Sequence, residues 1–143
     1  MTRRPALKII PPQQRGSVLL ESMIAILIFS MGILAIVGLQ AASTKNTASA
    51  KYRTDASMLA NQIIGQMWTD DKTTSALQAS YNSPSGARYL TWKTSVANTL
   101  PGVASNAPTV AIDASNVATV TVWWQSPGEA KPHNYVAIAR ING

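Results

Sequence analysis

Between Arg15 and Gln40 the chain reads RGSVLLESMIAILIFSMGILAIVGLQ, and the 23 residues from Ser17 to Leu39 carry a single ionisable side chain, Glu21. As an α-helix this run is about 35 Å long, enough to cross a hydrocarbon core of roughly 30 Å. Length and pattern together favour a membrane-spanning helix. An ordinary secretory signal fits poorly, because its apolar core is about 7–15 residues long and ends at a small-residue cleavage site. No clean A-x-A junction falls inside the run. The nearest candidate, Ala41-Ala42-Ser43, leaves cleavage there open.

Charge sets the expected orientation. Arg3, Arg4, Lys8 and Arg15 precede the run with no acid among them. The positive-inside rule keeps that end in the cytoplasm and sends the rest of the chain outward in a single pass. Glu21 is the anomaly. A carboxylate at the centre of a membrane helix costs about 2.5–3.5 kcal/mol on insertion scales, and intramembrane acids usually serve function. Glu21 sits near the cytoplasmic edge, where headgroups and water reduce that cost. Two readings stand: a tolerated interfacial acid, or an acid paired with a positive charge at the same depth. A free α-amino group made by cutting between Gly16 and Ser17 would supply such a charge.

The arrangement resembles the class III signal of type IV pilins and of the related type II secretion pseudopilins. The features that carry the resemblance are a short basic leader, Gly16, the neutral residues Ser17-Val18-Leu19-Leu20, then Glu21 and a long apolar helix. Within that superfamily, GSVLLESMIAILIFSMGILAIVGLQ and the downstream ANQIIGQMW are most similar to the minor pilins. The likeness is good from Arg15 to Trp68 and loose beyond. It implies a cleaved leader over residues 1–16, cut after Gly16 by a prepilin peptidase that also N-methylates Ser17. It implies that Glu21 neutralises the N-terminal amine of a neighbouring subunit during filament assembly, a charge pair that a low-dielectric seam favours over either charge alone. Implied partners are the prepilin peptidase, other major and minor pilins through the N-terminal helix, the pilus assembly machinery, and inner-membrane lipid before assembly. No cofactor is implied. The implied location is the inner membrane, with the head periplasmic, and then a surface fibre. Two departures stand out: Ser17 occupies the place where most major pilins have phenylalanine, and the leader is long and contains Pro11-Pro12, as a solvated cytoplasmic tail would. A type II secretion pseudopilin, or an uncleaved single-pass anchor bearing a periplasmic binding domain, shares the same broad layout.

The chain has 143 residues, so removing leader and span leaves 104 for a small head, a size at which core burial is marginal. There is no cysteine to staple it. Major pilins often close a C-terminal loop with a disulfide, so its absence leans towards a minor pilin or pseudopilin. The net charge of +6 overstates the basicity of the cleaved chain, because four of twelve basic residues lie in the leader; eight then face six acids, a net +2. The high pI thus belongs largely to the topogenic signal.

An α+β fold of pilin type is expected: a long helix whose membrane half (17–39) runs on into an amphipathic half (40–70), packed on an antiparallel sheet of three or four strands within a head spanning 71–143. Leu59, Ile63 and Met67 fall at i, i+4 and i+8, with Ala56, Ala60 and Ile64 alongside. A continuous helix from Ser17 to Trp68 would be roughly 78 Å long. The polar stretch 43–57 is its weakest point, and Gly32 and Gly38 mark either a bend or close helix packing. Residues 69–88 read as a Ser/Thr/Asn/Gly-rich connection with at most one short helical turn. Strands are predicted over RYLTWKTSVA (Arg88–Ala97), with Leu90, Trp92, Thr94 and Val96 sharing one face, over Thr109–Asp113 more weakly, over NVATVTVWWQ (Asn116–Gln125), and over YVAIARI (Tyr135–Ile141).

Groups that could carry chemistry are few. His133 is the only histidine and sits beside Pro132 in a turn, where a plain surface role is the default over a ligand or catalytic one. No carboxylate cluster suits zinc, Asp70-Asp71 lacks the interspersed oxygen ligands of a calcium loop and reads as a helix end, and no serine lies in a G-x-S-x-G context. No catalytic residue, enzymatic activity or metal is therefore expected. Trp92 and Trp124 share faces with aliphatic residues and are expected in the core, whereas Trp123 projects among threonines, where partial burial under a loop is the default over a contact with another subunit or surface. Arg88, Lys93, Lys131 and Arg140 form no dense basic run, so DNA binding is disfavoured.

Overall fold

A computed structural model describes residues 15–142, Arg15 by its backbone alone; the rest of the expected leader, with Arg3, Arg4, Lys8 and Pro11-Pro12, lies outside the described residues. The elements run α1 (Arg15–Thr69), α2 (Thr74–Tyr81), α3 (Ala87–Thr99), β1 (Thr109–Ile112), β2 (Val117–Trp124) and β3 (His133–Arg140), an α+β order. The chain divides into two units, Met1–Ser43 and Thr44–Gly143.

The first unit, where described, is the N-terminal part of α1. Its apolar side chains stand open: Leu19, Ile26, Phe29, Leu34 and Leu39 are each at least 65% exposed among the described residues. The helix passes without interruption through Gly32, Gly38 and the polar 43–57 stretch. Propagation adds one backbone bond per residue once a helix has nucleated, and no proline interrupts the run. Ser22 and Ser30 donate their hydroxyls to the carbonyls of Val18 and Ile26, at 2.8 and 2.7 Å. Both hydroxyls are thereby satisfied within the helix itself.

The second unit builds a core around the remainder of α1. All six residues of the expected stripe (Ala56, Leu59, Ala60, Ile63, Ile64 and Met67) are buried. Opposite them, β2 alternates strictly: Ala118, Val120, Val122 and Trp124 point inward, while Val117, Thr119, Thr121 and Trp123 are half-buried on the outer face. The sheet is a three-stranded antiparallel meander in the order β1-β2-β3, with Val120 opposite both Val110 and Ala137. Asn116 takes a left-handed φ of 58° in the β1–β2 turn, a conformation asparagine tolerates better than most residues. Its side chain donates to the carbonyl of Lys72 at 2.9 Å, tying that turn to the α1–α2 connection.

The open side of β1 is closed by the α2–α3 connection. Ile112 N–H donates to Asn82 Oδ1 at 2.8 Å, Gln78 Nε2 donates to Ile112 O at 2.9 Å, and Ser83 N–H donates to Val110 O at 3.0 Å. Two side chains and one backbone amide thus stand in for a fourth strand, one of the ways proteins cover a sheet edge.

Two expectations need correction. The segment expected as a strand over Arg88–Ala97 is helical, within α3, and the expected sheet of three or four strands has three, built without it. The inward face of α3 carries Tyr89, Trp92 and Val96, at i, i+3 and i+7, while Leu90 is 48% exposed. Gly86 precedes the helix where an added Cβ would run into the backbone of Ser80, and Pro101 follows its C-cap Leu100. Thr91, Thr94 and Thr99 donate to carbonyls four residues back on the solvent side, so their β-branched side chains sit without unmet bonds. The connection before it, expected to hold at most one turn, contains the eight-residue helix α2, anchored through Leu77 and Tyr81.

Candidate functional site

The residues expected to carry processing and assembly all lie in the first turns of α1. Gly16, Ser17 and Glu21 are helical and exposed. Ser17, Leu20, Glu21, Ile24, Ala25 and Ile28 border one shallow hollow on a single helix face. Glu21 has no ion-pair or hydrogen-bond partner among the described residues, so its carboxylate is presented outward from an otherwise apolar surface. An 18-residue window of the helix Gly16–Thr69 reaches a mean hydropathy of 2.5 with none of it buried. A helix of that length and composition is compatible with a single-pass membrane anchor. What the arrangement offers chemically is one carboxylate, one turn after Ser17, on an otherwise apolar surface.

In the head, Asp70 joins three helices. It accepts from Tyr81 Oη at 2.6 Å through Oδ2 and forms an ion pair with Arg88 Nε at 3.3 Å. Burial and the neighbouring Asp70 carboxylate push the Tyr81 phenol well above its ordinary value, so it stays a donor. Asp71 accepts from Thr73 N–H at 2.9 Å. The acidic pair is therefore split between an inter-helix tie and a local turn. Among the described residues no group of three or more His, Cys, Asp or Glu side chains could hold a metal ion.

His133 is more engaged than a plain surface residue. Its ring stacks on Trp124 with centroids 5.7 Å apart and planes at 21°, and its Nε2 lies 2.7 Å from Glu129 Oε2. Lys45 of α1 reaches Glu129 Oε1 at 3.6 Å, pinning the β2–β3 turn to the helix. The bond to His133 leads the causes that hold the Glu129 carboxyl below its ordinary value, against a smaller opposing effect of burial. Sequence reading missed this cluster. The four-residue Glu129–His133 spacing was visible, but the approach of Lys45 is a tertiary fact.

Trp92 and Trp124 are each 3% exposed, as their shared faces suggested, and Trp123 is half-buried on the outer sheet face. The basic residues weighed for nucleic acid do not gather on one element. Arg88 and Lys93 lie on α3, Lys131 in the β2–β3 turn and Arg140 at the end of β3, with Arg88 committed to Asp70. No protein-family model, no curated protein and no solved structure matches the chain significantly.

Proposed function

We propose that the chain is a minor pilin of a type IV pilus, resembling the type IV pilus modification protein PilV. In this reading it waits in the inner membrane as a precursor with its N-terminus cytoplasmic and its head periplasmic. A prepilin peptidase cuts after Gly16 and methylates Ser17, and the subunit then joins the fibre at low abundance, in support of assembly or adhesion. The observation that supports it best is an uncovered apolar helical run, Ser17–Leu39, whose single acid, Glu21, stands one turn after Ser17. A helix apolar on all faces exchanges lipid for neighbouring helices at little hydrophobic cost. A lone carboxylate on that surface gains from meeting a subunit's amine. The α+β head on the second half of the same helix agrees with this reading without adding to its specificity.

The test is intact mass and N-terminal sequencing of the protein recovered from membranes, with and without a prepilin peptidase. The expected product begins at Ser17 only when the peptidase is present and carries one added methyl group. A chain that keeps its leader under both conditions would sink the reading and leave an uncleaved membrane-anchored domain.

A further inference from the structure

Along one flank of the head, a cavity of about 320 Å³ opens between α1 and the start of β3, lined by Ser49, Arg53, Trp124, Pro132, His133 and Asn134. Ser49 and Arg53 come from consecutive turns of α1 and so share one helix face. His133 and Asn134 begin β3, and Trp124 is the register partner of His133 at the end of β2. Five of the six lining residues thus carry a polar side-chain group, on three elements fixed by the core.

Among the described residues, Arg53 carries the one full charge lining this cavity that no neighbour pairs. Arg53 is exposed, and among the described residues its guanidinium has no ion pair or hydrogen bond. Trp124 is 3% exposed, yet its Nε1–H is buried without an acceptor. The acids near Arg53 are already engaged, Glu129 by His133 at 2.7 Å and Lys45 at 3.6 Å and Asp55 by Lys51 at 3.4 Å, so neither pairs with Arg53. A cation is disfavoured by Arg53 and Lys45. A neutral sugar stacking on Trp124 is disfavoured too, because the His133 ring covers that indole.

We propose that this cavity is a carboxylate-binding site, with Arg53 as its principal ligand. The planar guanidinium fork matches a carboxylate in bidentate geometry, and the Ser49 hydroxyl and Asn134 amide lie beside it to orient the bound group. Arg53 also borders a second hollow of about 410 Å³, lined by Thr54, Ser57, Met58, Asn61 and Tyr135. A chain bearing the carboxylate therefore has room to continue past Arg53 along the same flank. The carboxylate comes either from a free small acid or from an acidic side chain of a peptide. The proposal does not depend on leader cleavage or on the pilin reading.

The test titrates the isotope-labelled full chain in detergent micelles, following the Arg53 Nε–H and Trp124 indole resonances by NMR at constant ionic strength. The probes are sodium acetate and the blocked tripeptide acetyl-Ala-Glu-Ala-amide, with acetyl-Ala-Gln-Ala-amide and sodium chloride as controls. Saturable shifts with acetate and the Glu peptide, absent with both controls, are expected. Arg53→Gln, an exposed change to a good helix former, should weaken them by about tenfold or more while leaving β2 and β3 resonances in place. A Glu peptide that binds more tightly than acetate assigns the site to peptide-borne acids, and equal affinities assign it to free carboxylates. Unsaturable shifts, equal response to the Gln peptide or chloride, or unchanged binding in Arg53→Gln would each overturn the proposal.

Discussion

Replacing Trp92 by phenylalanine should destabilise the head by about 2–3 kcal/mol. Trp92 lies on α3 at 3% exposure, and its Nε1–H donates to the carbonyl of Leu59 on α1 at 2.9 Å. Phenylalanine keeps the aromatic contact with Tyr89, whose ring centroid is 6.2 Å away, but loses that bond and the second ring. The bond contributes about 1 kcal/mol net, since the Leu59 carbonyl keeps its helical partner and is not orphaned. The missing part of the indole adds roughly 1–2 kcal/mol in lost transfer energy and unfilled space. For a unit of about 100 residues each kcal/mol moves Tm by about 4–8 °C, so a fall of roughly 8–24 °C is expected. The assay is thermal unfolding of the full chain in micelles, followed by near-ultraviolet circular dichroism, which reports head packing. Leu90→Ala is the paired measurement. At 48% exposure on the solvent side of α3, Leu90 should tolerate truncation within about 0.5 kcal/mol. A Trp92→Phe loss below 0.5 kcal/mol, or a Leu90→Ala loss as large as that of Trp92→Phe, would refute the helical placement of this segment and the energetic argument with it.

Three further outcomes follow from individual contacts. Glu21→Ala should leave cleavage after Gly16 largely intact while reducing recovery of the subunit in sheared fibres; wild-type recovery would count against the assembly charge pair. Asn82→Ala removes the acceptor for Ile112 N–H and should cost about 1–2 kcal/mol, with faster amide exchange at Ile112 as its local signature. Unchanged exchange there would mean that the β1 edge is closed by other means. Glu129 has a folded-state pKa lowered from its ordinary 4.5, so its contribution to stability is complete above that value and is lost as pH falls through the lower folded value. Acid titration should accordingly release the β2–β3 turn from Lys45 and His133, seen as loss of the His133–Trp124 ring-current shift, and Glu129→Gln should abolish that pH step.

How far the sequence reaches depends on whether one periodicity excludes the other. In β2 the alternation of Val120, Val122 and Trp124 with Thr119, Thr121 and Trp123 has no competing helical reading, and strand and facing both emerge as expected. In α1 Leu59, Ile63 and Met67 are four apart and alone satisfy either period, but Ala56, Ala60 and Ile64 on the same face admit only the helical one. Over Arg88–Ala97 the two patterns coincide. Trp92 and Val96 are four apart and satisfy either period, and only Tyr89 against Leu90 distinguishes them. The 13-residue span bracketed by Gly86 and Pro101 was the better guide, because it is long for a strand and ordinary for a helix. The threonines that suggested a strand find acceptors on the preceding turn, so β propensity had little to set against the burial of Tyr89, Trp92 and Val96. The Arg53–Trp124–His133 flank left no mark in the sequence, since it joins residues from three elements with no fixed spacing.

The same accounting separates the two ends of the molecule energetically. From Gly16 to Thr47 no side chain is buried, so the apolar run takes no tertiary stabilisation from the described chain. An exposed apolar surface of this extent is compatible with a single-pass membrane anchor. The head, by contrast, closes its own core from Ala56 to Ile141. Substitutions on the run should therefore change where the protein resides and what it assembles with, while leaving head stability within about 0.5 kcal/mol. Glu21 belongs to the first class and Trp92 to the second. A Glu21→Ala protein whose head unfolds at the wild-type temperature while its fibre incorporation fails would show the two functions resting on different physical forces within one continuous helix.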